Sequence, residues 1–177
     1  MAGARAARRD RVDEMVEEWG AELPEAATVQ LEIIKRAGRL KSLVEETTQS
    51  VLSGYGLTYA EFDVLATLRR AGAPYRLKPG RLAERSSLTT GGTSNILQRL
   101  TTAGLVEREP DPADGRSSWV RLTPQGVRRA EELALATGEA HRELFADLPD
   151  DTARALADLL REALLALGDR PAPGLRG

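Results

Sequence analysis

One stretch of the chain, from Leu77 to Gly126, constrains the fold more than any other. Its pattern predicts, in order, a short helix, a turn, a second helix, a strand, a hairpin loop and a second strand. That order is typical of a helix-turn-helix followed by a β-wing, in which one helix enters a DNA major groove and a basic loop lies beside it. The chain is therefore predicted to bind DNA.

The charge distribution supports this prediction, although the whole chain of 177 residues has a formal net charge of only −2. Residues 69–129 contain 12 Arg and Lys against 5 Asp and Glu, a net charge of +7, and the remaining residues contain 13 against 22, a net charge of −9. The basic block coincides with the predicted helix-turn-helix and wing. A positive field on one side of a protein favours binding to phosphates.

The composition argues against several other classes of protein. The absence of cysteine excludes disulfides, cysteine metal sites and a thiol switch, and a single histidine, His141, argues against a histidine metal cluster. No nucleophile elbow or phosphate-binding glycine loop is present, so we predict no enzyme, no catalytic residue, no metal and no cofactor. No apolar run is long enough for a membrane span or a secretory signal, which predicts a cytoplasmic protein. His141, among charged neighbours, is predicted to lie on a helix surface.

Apolar spacing and capping signals predict a mainly α-helical fold with a small β-wing. Thr58 and Glu61 form a predicted capping box, and Thr89 is a predicted N-cap. Residues 1–9 and 169–177 are predicted to be disordered. The predicted helices span about 10–22, 28–53, 59–71, 79–85, 90–103, 123–146 and 149–167; the predicted strands are 105–108 and 118–122, with a hairpin loop at 110–115.

The predicted helix 90–103 has one apolar and one polar face. Its inner face is predicted to hold Thr93, Ile96, Leu97 and Leu100. Small and amide side chains lie on the other face, and such side chains suit a helix pressed against base edges, because Asn and Gln pair with adenine and Ser with several partners. Taken alone, the stretch 91–94 could equally be a poor helix start. The DNA-contact candidates on this helix are Thr90, Gly91, Ser94, Asn95, Gln98 and Arg99.

The predicted wing supplies three further candidates. Arg116 lies just beyond the hairpin tip, where a guanidinium can enter the narrow minor groove. Asp114 either holds that arginine or satisfies backbone donors in the turn. Arg108 either orients the wing or contacts a phosphate.

Several short motifs of this stretch together resemble the winged helix-turn-helix of the MarR family of bacterial regulators. They are Leu82-Ala83, the run LQRLTTAGLV at 97–106, the Asp-Gly-Arg at 114–116, and the Leu-Thr-Pro-Gln-Gly at 122–126. The resemblance implies a homodimer that places two recognition helices in successive major grooves of a pseudo-palindromic operator. It also implies the following division of the chain: an N-terminal tail and extra helix at 1–27, a helical dimerisation region at 28–56 and 123–168, a winged helix-turn-helix at 57–122, and a tail at 169–177.

The extra N-terminal helix resembles that of a MarR subgroup that responds to urate and related anions. In that subgroup a Trp of this helix, an Asp of the second helix and an Arg of the recognition helix help form the effector site. Trp19 and Asp63 match the first two, whereas Ile96 stands at the third position and cannot donate a guanidinium to an anion. Ile96 would instead admit a more hydrophobic ligand. Trp19 could equally pack the extra helix against the dimerisation region, and Asp63 could equally be a surface acid.

Two functions remain open from the sequence. The first is a dimeric, sequence-specific transcriptional regulator, a repressor released from DNA by a small-molecule effector. The second is a constitutive winged-helix DNA-binding or architectural protein without an effector. A ligand that binds the folded state raises its thermal stability, so a thermal shift distinguishes the two.

Overall fold

The computed structural model describes residues 9–86, 90–112 and 114–170, without the side chains of residues 90, 91 and 114–116. The predicted N-cap Thr89 and most of the two predicted tails lie outside these residues. The fold is mainly α-helical with a small β-wing, as predicted. In chain order the elements are α1 (Arg11–Glu22), a 3-10 turn (Pro24–Ala26), α2 (Val29–Gly54), α3 (Tyr59–Arg70), β1 (Arg76–Leu77), α4 (Pro79–Arg85), α5 (Thr90–Thr102), β2 (Val106–Asp111), β3 (Asp114–Leu122), α6 (Pro124–Leu144) and α7 (Asp150–Ala166).

Side-chain caps fix the starts of the first three helices. Asp10 and Asp13 form a capping box at α1, and Thr28 accepts a hydrogen bond from the Leu31 N–H at α2. Thr58 and Glu61 form the predicted capping box at α3. Each cap satisfies N–H groups that a helix leaves unpaired, which stabilises the helix by about 1 kcal/mol. Local signals of this kind explain why the predicted helix starts are close to the observed ones.

The three strands form one antiparallel sheet in the order β1-β3-β2. The predicted strands 105–108 and 118–122 were too short, because backbone pairing continues through most of the predicted loop to the pair Asp111 and Asp114. Pro110 is tolerated in β2 because β2 is an edge strand, where a missing N–H costs no ladder bond. Strand β1 was missed, because a two-residue strand carries no periodic signal and depends on its pairing with β3.

A single hydrophobic core joins the helix-turn-helix, the sheet and the flanking helices. Within it the predicted inner face of α5 is confirmed: Thr93 and Leu97 are buried, Leu100 is fully buried, and Ile96 packs against the core. Burying one such leucine contributes about 1.5–3 kcal/mol, so this packing fixes the rotation of α5 about its own axis. The buried apolar residues are Leu52, Val64, Leu65, Leu68, Leu82, Leu97, Leu100, Leu105, Val106, Val120, Leu122, Ala130 and Leu133.

The prediction that His141 lies on a helix surface is wrong. Its Nε2 is 2.9 Å from the Oγ1 of the buried Thr48, so the half-buried imidazole joins α6 to α2. The Thr48 hydroxyl donates its hydrogen to the Val44 carbonyl oxygen at 2.7 Å. The histidine Nε2–H must therefore be the donor of the shared bond.

Much apolar surface of α2 and α7 is not covered by the part of the chain that the structure describes. On the apolar face of α2, Val29 and Ile33 are 60% and 61% exposed, so this half of the face is not part of the core. The apolar stripe of α7 is also exposed, since Leu159 is 64% and Leu164 is 49% exposed. An uncovered surface of this kind indicates an interaction site. In the part of the chain that the structure describes, no helix has the length and hydropathy needed to cross a membrane.

Candidate nucleic-acid interface

Helix α5 presents its polar residues to solvent beside the wing. Ser94, Asn95 and Gln98 are exposed, because the buried Thr93 and Leu97 turn the opposite face inward. Within the described residues, the side chains of Ser94, Asn95 and Gln98 make no hydrogen bond. Their donors and acceptors are therefore available to an external partner.

The junction between α5 and the wing is held by backbone geometry and one threonine. Gly104 ends the turn after α5 with φ +69°, a conformation that glycine adopts without strain. The Thr123 hydroxyl donates to the Gly104 carbonyl oxygen at 2.7 Å and accepts from the Gly126 N–H at 3.0 Å. Thr123 thus ties the end of α5 to the start of α6 and sets the direction in which the hairpin leaves the core.

Oppositely charged side chains cross the outer face of the wing, and we call them the wing ladder. Arg121 binds Glu107 at 2.6 Å and Glu109 at 2.9 Å. Arg76 binds Glu109 at 3.2 Å, and Lys78 pairs with Asp111. The ring centroid of Trp119 lies 4.7 Å from the guanidinium carbon of Arg76 and 4.6 Å from the ammonium nitrogen of Lys78. The wing ladder comprises Arg76, Lys78, Glu107, Glu109, Asp111, Trp119 and Arg121.

The wing ladder neutralises three of the twelve cations of the basic block. The hydrogen bond from Arg121 to Glu107 raises the pKa of Arg121, so this guanidinium stays charged and paired. The ladder therefore holds the strands together, and its cations contribute little to the field that would attract DNA.

Arg108 lies on the other face of the hairpin. It stands opposite the buried Val120, on the side of the sheet that packs towards the helices, whereas Glu107 and Glu109 point the other way. The Arg108 side chain is exposed and forms no ion pair within the described ranges 9–86, 90–112 and 114–170. Which of its two predicted roles Arg108 has stays a prediction.

Arg99 extends from the last turn of α5 and is paired with a buried acid. Its Nε is 3.1 Å from Oε1 of Glu61, and the two side chains are 62% and 4% exposed. The Glu61 Oε2 accepts hydrogen bonds from the backbone N–H and the hydroxyl of Thr58, both at 2.8 Å. The sequence predicted Glu61 only as a capping residue and Arg99 only as a DNA-contact candidate. It gave no signal that the two meet.

Four of the predicted contact residues are described by their backbone alone. Thr90 and Gly91 begin α5, and Asp114 and Arg116 are among the first three residues of β3. Their roles stay predictions.

The three predicted effector residues lie on three helices. Trp19 is on α1 and 43% exposed, Asp63 is on α3 and partly buried, and Ile96 is on α5 and packs against the core. An arginine of α2, rather than Trp19, makes the polar connection between α1 and α2. The Arg36 guanidinium lies 2.9 Å from Asp10 and 2.7 Å from Asp13 of the α1 start, and 2.6 Å from Glu32 of its own helix.

Comparison with known proteins identifies relatives of this arrangement. Residues 55–117 match the model of the MarR family. The chain is 30% identical over 154 residues to the transcriptional regulator PecS of Dickeya dadantii, covering 87% of this chain and 93% of PecS. It is 33% identical over 132 residues to the multiple antibiotic resistance protein MarR of Escherichia coli, covering 72% of this chain and 90% of MarR.

Solved structures agree with these relationships. A cysteine-to-serine variant of E. coli MarR complexed with operator DNA superimposes with a TM-score of 0.66 at 27% identity, over 82% of this chain and 97% of that one. BpsR of Bordetella bronchiseptica, whose DNA binding is regulated by 6-hydroxynicotinic acid, superimposes with a TM-score of 0.62 at 25% identity, over 77% and 92% of the two chains.

A polar helix exposed beside a β-wing, on a fold shared with an operator complex, defines a winged-helix DNA-binding transcriptional regulator. The chain belongs to the MarR family.

Proposed function

We propose that this protein is a dimeric repressor that binds a pseudo-palindromic operator and is released from it by a small-molecule effector. The observation that carries the proposal is the exposed face of α5, formed by Ser94, Asn95 and Gln98, with the exposed Arg108 beside it; none of these side chains has a polar partner among the residues that the structure describes. A regulator of this kind acts by binding rather than by catalysis, and it acts in the bacterial cytoplasm where the chromosome lies.

Each contact residue has a distinct role in this proposal. Asn95 and Gln98 read base edges in the major groove, where a good bidentate amide contact contributes about 1–3 kcal/mol of discrimination between bases. Ser94 contributes a hydroxyl to the same surface. The backbone at Thr90 and Gly91 approaches a phosphate at the helix N-terminus. Arg99 and Arg108 bind phosphates, and Asp114 orients Arg116 in the minor groove.

The dimer is formed by residues 28–56 and 123–168, and residues 57–122 form the DNA-binding lobe. The exposed leucines of α7 and the exposed start of α2 support this division. A groove of about 630 Å³ between α1, α2 and α7 lies on the same side, and much of its wall is apolar: Ile33, Leu40, Leu43, Leu156 and Leu160. A second copy of the chain would cover this surface and place two α5 helices about one helical turn of DNA apart.

An effector site that includes Trp19, Asp63 and Ile96 is the second part of the proposal. The regulation of the related BpsR by 6-hydroxynicotinic acid supports an effector of the aromatic acid class. Because Ile96 packs against the core and offers no cation, a ligand more hydrophobic than urate fits best. The same feature favours the alternative of constitutive binding without an effector. A thermal shift with 6-hydroxynicotinic acid and urate distinguishes the two, since an effector that binds the folded dimer must raise its melting temperature.

The DNA-binding proposal is tested with a pair of variants. Gln98→Ala should change the preferred base at one operator position, because it removes a base contact. Arg108→Ala should weaken binding to all sequences and reduce the salt dependence by about one phosphate contact. Binding titrations with single-base operator variants at several salt concentrations measure both effects. Unchanged base preference in Gln98→Ala together with unchanged affinity in Arg108→Ala would refute the assigned interface.

A further inference from the structure

The carboxylate of Glu61 divides its two oxygens between two parts of the DNA-binding lobe. Oε2 accepts the two hydrogen bonds from Thr58 and closes the start of α3. Oε1 is 3.1 Å from the Nε of Arg99, one of the last residues of α5. Glu61 is 3% exposed, so its charge is held away from water, and Arg99 is the only cation paired with it in the described part of the chain.

The geometry of this pair leaves most of the Arg99 guanidinium available. The contact uses Nε, whereas the two terminal nitrogens carry four of the five N–H donors of an arginine. Within the described residues Arg99 forms no other ion pair or hydrogen bond, and its side chain is 62% exposed. A tether through Nε fixes the direction of the side chain, so less rotamer freedom is lost when the terminal nitrogens bind an oxyanion.

We propose that Glu61 is a positioning residue for operator binding. Its buried carboxylate holds Arg99, and with it the C-terminal half of α5, in the orientation that puts the guanidinium on an operator phosphate. The inference rests on the proposed function, because it requires α5 to be the helix that enters the major groove.

A role in positioning and a role as a simple charge predict opposite effects. If Glu61 acted only as a negative charge close to DNA, its neutralisation would strengthen binding to every duplex. If it positions Arg99, its neutralisation weakens binding to the operator while binding to unrelated DNA is unchanged or stronger. The ratio of the two affinities therefore separates the roles.

The variant Glu61→Gln makes this test without removing the cap, since glutamine also serves in a capping box. Dissociation constants are measured for the duplex that the wild type selects from random DNA and for a scrambled duplex of the same length at the same salt concentration. We expect the ratio of the two affinities to fall about 10-fold, the typical effect of losing one charge-assisted hydrogen bond. Glu84→Gln is the matched control: it neutralises an exposed carboxylate of the same lobe that is paired with Arg81 and not with Arg99, and it should leave the ratio unchanged.

A double-mutant cycle measures whether Glu61 acts through Arg99. Arg99→Gln should weaken operator binding by about 10-fold in the wild-type background and much less in the Glu61→Gln background, because coupled residues are not additive. Should Glu61→Gln fail to fold, Arg99→Lys replaces it. A lysine ammonium is a single compact charge that cannot hold Glu61 and a phosphate in the same fork geometry, so the ratio should fall as well.

The outcomes separate the inference from the proposal on which it rests. A wild type that selects a sequence, with an unchanged affinity ratio in Glu61→Gln or additive effects in the cycle, overturns the positioning role alone. A wild type that selects no sequence overturns the proposed function and the positioning role together.

Discussion

Single residues set the geometry of the DNA-binding lobe, either by leaving room for a close backbone contact or by joining two elements through a hydrogen bond. Gly126 is an example of the first kind, because a Cβ atom at this position would lie 1.9 Å from the Leu105 carbonyl oxygen. Only a glycine lets the first turn of α6 lie against the backbone where α5 passes into β2. Thr123 is an example of the second kind, since its one hydroxyl serves both Gly104 and Gly126.

The close approach at Gly126 gives a prediction at this scale. Gly126→Ala forces the backbone of α6 away from the wing base, and overpacking of this kind should lower the free energy of unfolding by about 2–3 kcal/mol. In Gly138→Ala, in the same helix, the new Cβ has no described atom within 4 Å apart from the adjoining backbone of α6, and the change should stabilise the protein by about 0.5–1 kcal/mol. Urea unfolding of both variants measures the effects. Equal effects in the two would show that the close approach does not constrain the fold.

At the scale of elements, charge pairs attach the peripheral segments to the core. The wing ladder attaches β2 and β3 to the segment that begins at β1. Arg36 attaches the start of α1 to α2, and the hydrogen bond that it donates to Asp10 lowers the pKa of Asp10 below its ordinary value of 3.8. Because Arg36 and its partners are partly exposed, salt screens this cluster more than it would a buried one.

Removal of the Arg36 side-chain charge should loosen the attachment of α1 to α2. In Arg36→Gln we expect faster hydrogen exchange at the amides of residues 11–22 than in the wild type, with no change in the exchange of α5. Arg39→Gln is the control, because it makes the same change on the same helix at a residue that forms no ion pair within the described segments. Unchanged exchange in Arg36→Gln would show that apolar packing alone holds α1.

The same cluster has a defined pH dependence. The pKa of Asp10 is lower in the folded protein than in the unfolded chain. The ion pair of Asp10 with Arg36 therefore contributes fully to the attachment of α1 to α2 at pH values above 3.8, the ordinary pKa of the group. That contribution is lost as the pH falls through the lower, folded-state pKa. Exchange at residues 11–22 should therefore not change between pH 7 and pH 5 beyond the intrinsic effect of pH on exchange, and a release of α1 within that range would contradict the assignment.

At the scale of the whole molecule, the exposed apolar surface of α2 and α7 requires a partner. The α7 stripe that contains Leu156, Leu160 and Leu164 is uncovered or half-covered in the single chain. Leu165 projects from the opposite side of the same helix. We propose that a second copy of the chain covers the stripe, and that operator binding depends on that dimer because each half-site receives one α5.

A charge in the stripe should therefore separate the dimer. Leu160→Glu is expected to give a monomer in light scattering at micromolar concentration and to lose most of its operator affinity, because a glutamate cannot be buried without a partner. Leu165→Glu makes the same change on the other face and should remain a dimer. A dimeric Leu160→Glu that binds the operator normally would exclude the stripe from the interface.

What the sequence predicted well was local, and what it missed joins distant residues. The capping box of Thr58 and Glu61 and the inner face of α5 were predicted because both depend on residues within one or two turns. The pair of Glu61 with Arg99 and the pair of Thr48 with His141 were missed because their partners come together only when the helices pack. The exposure of Ser94, Asn95 and Gln98 on α5 was predicted correctly. The sequence did not show that the wing ladder neutralises three cations of the basic block, because those ion pairs form only when the strands pair.

In the proposed repressor, two α5 helices of a dimer read one DNA sequence. The decisive experiment is selection of bound duplexes from random DNA by the purified wild-type protein at near-physiological salt. We expect enrichment of a pseudo-palindrome whose half-sites are centred about one helical turn apart. Salt-sensitive binding without an enriched sequence, or no binding, would contradict it.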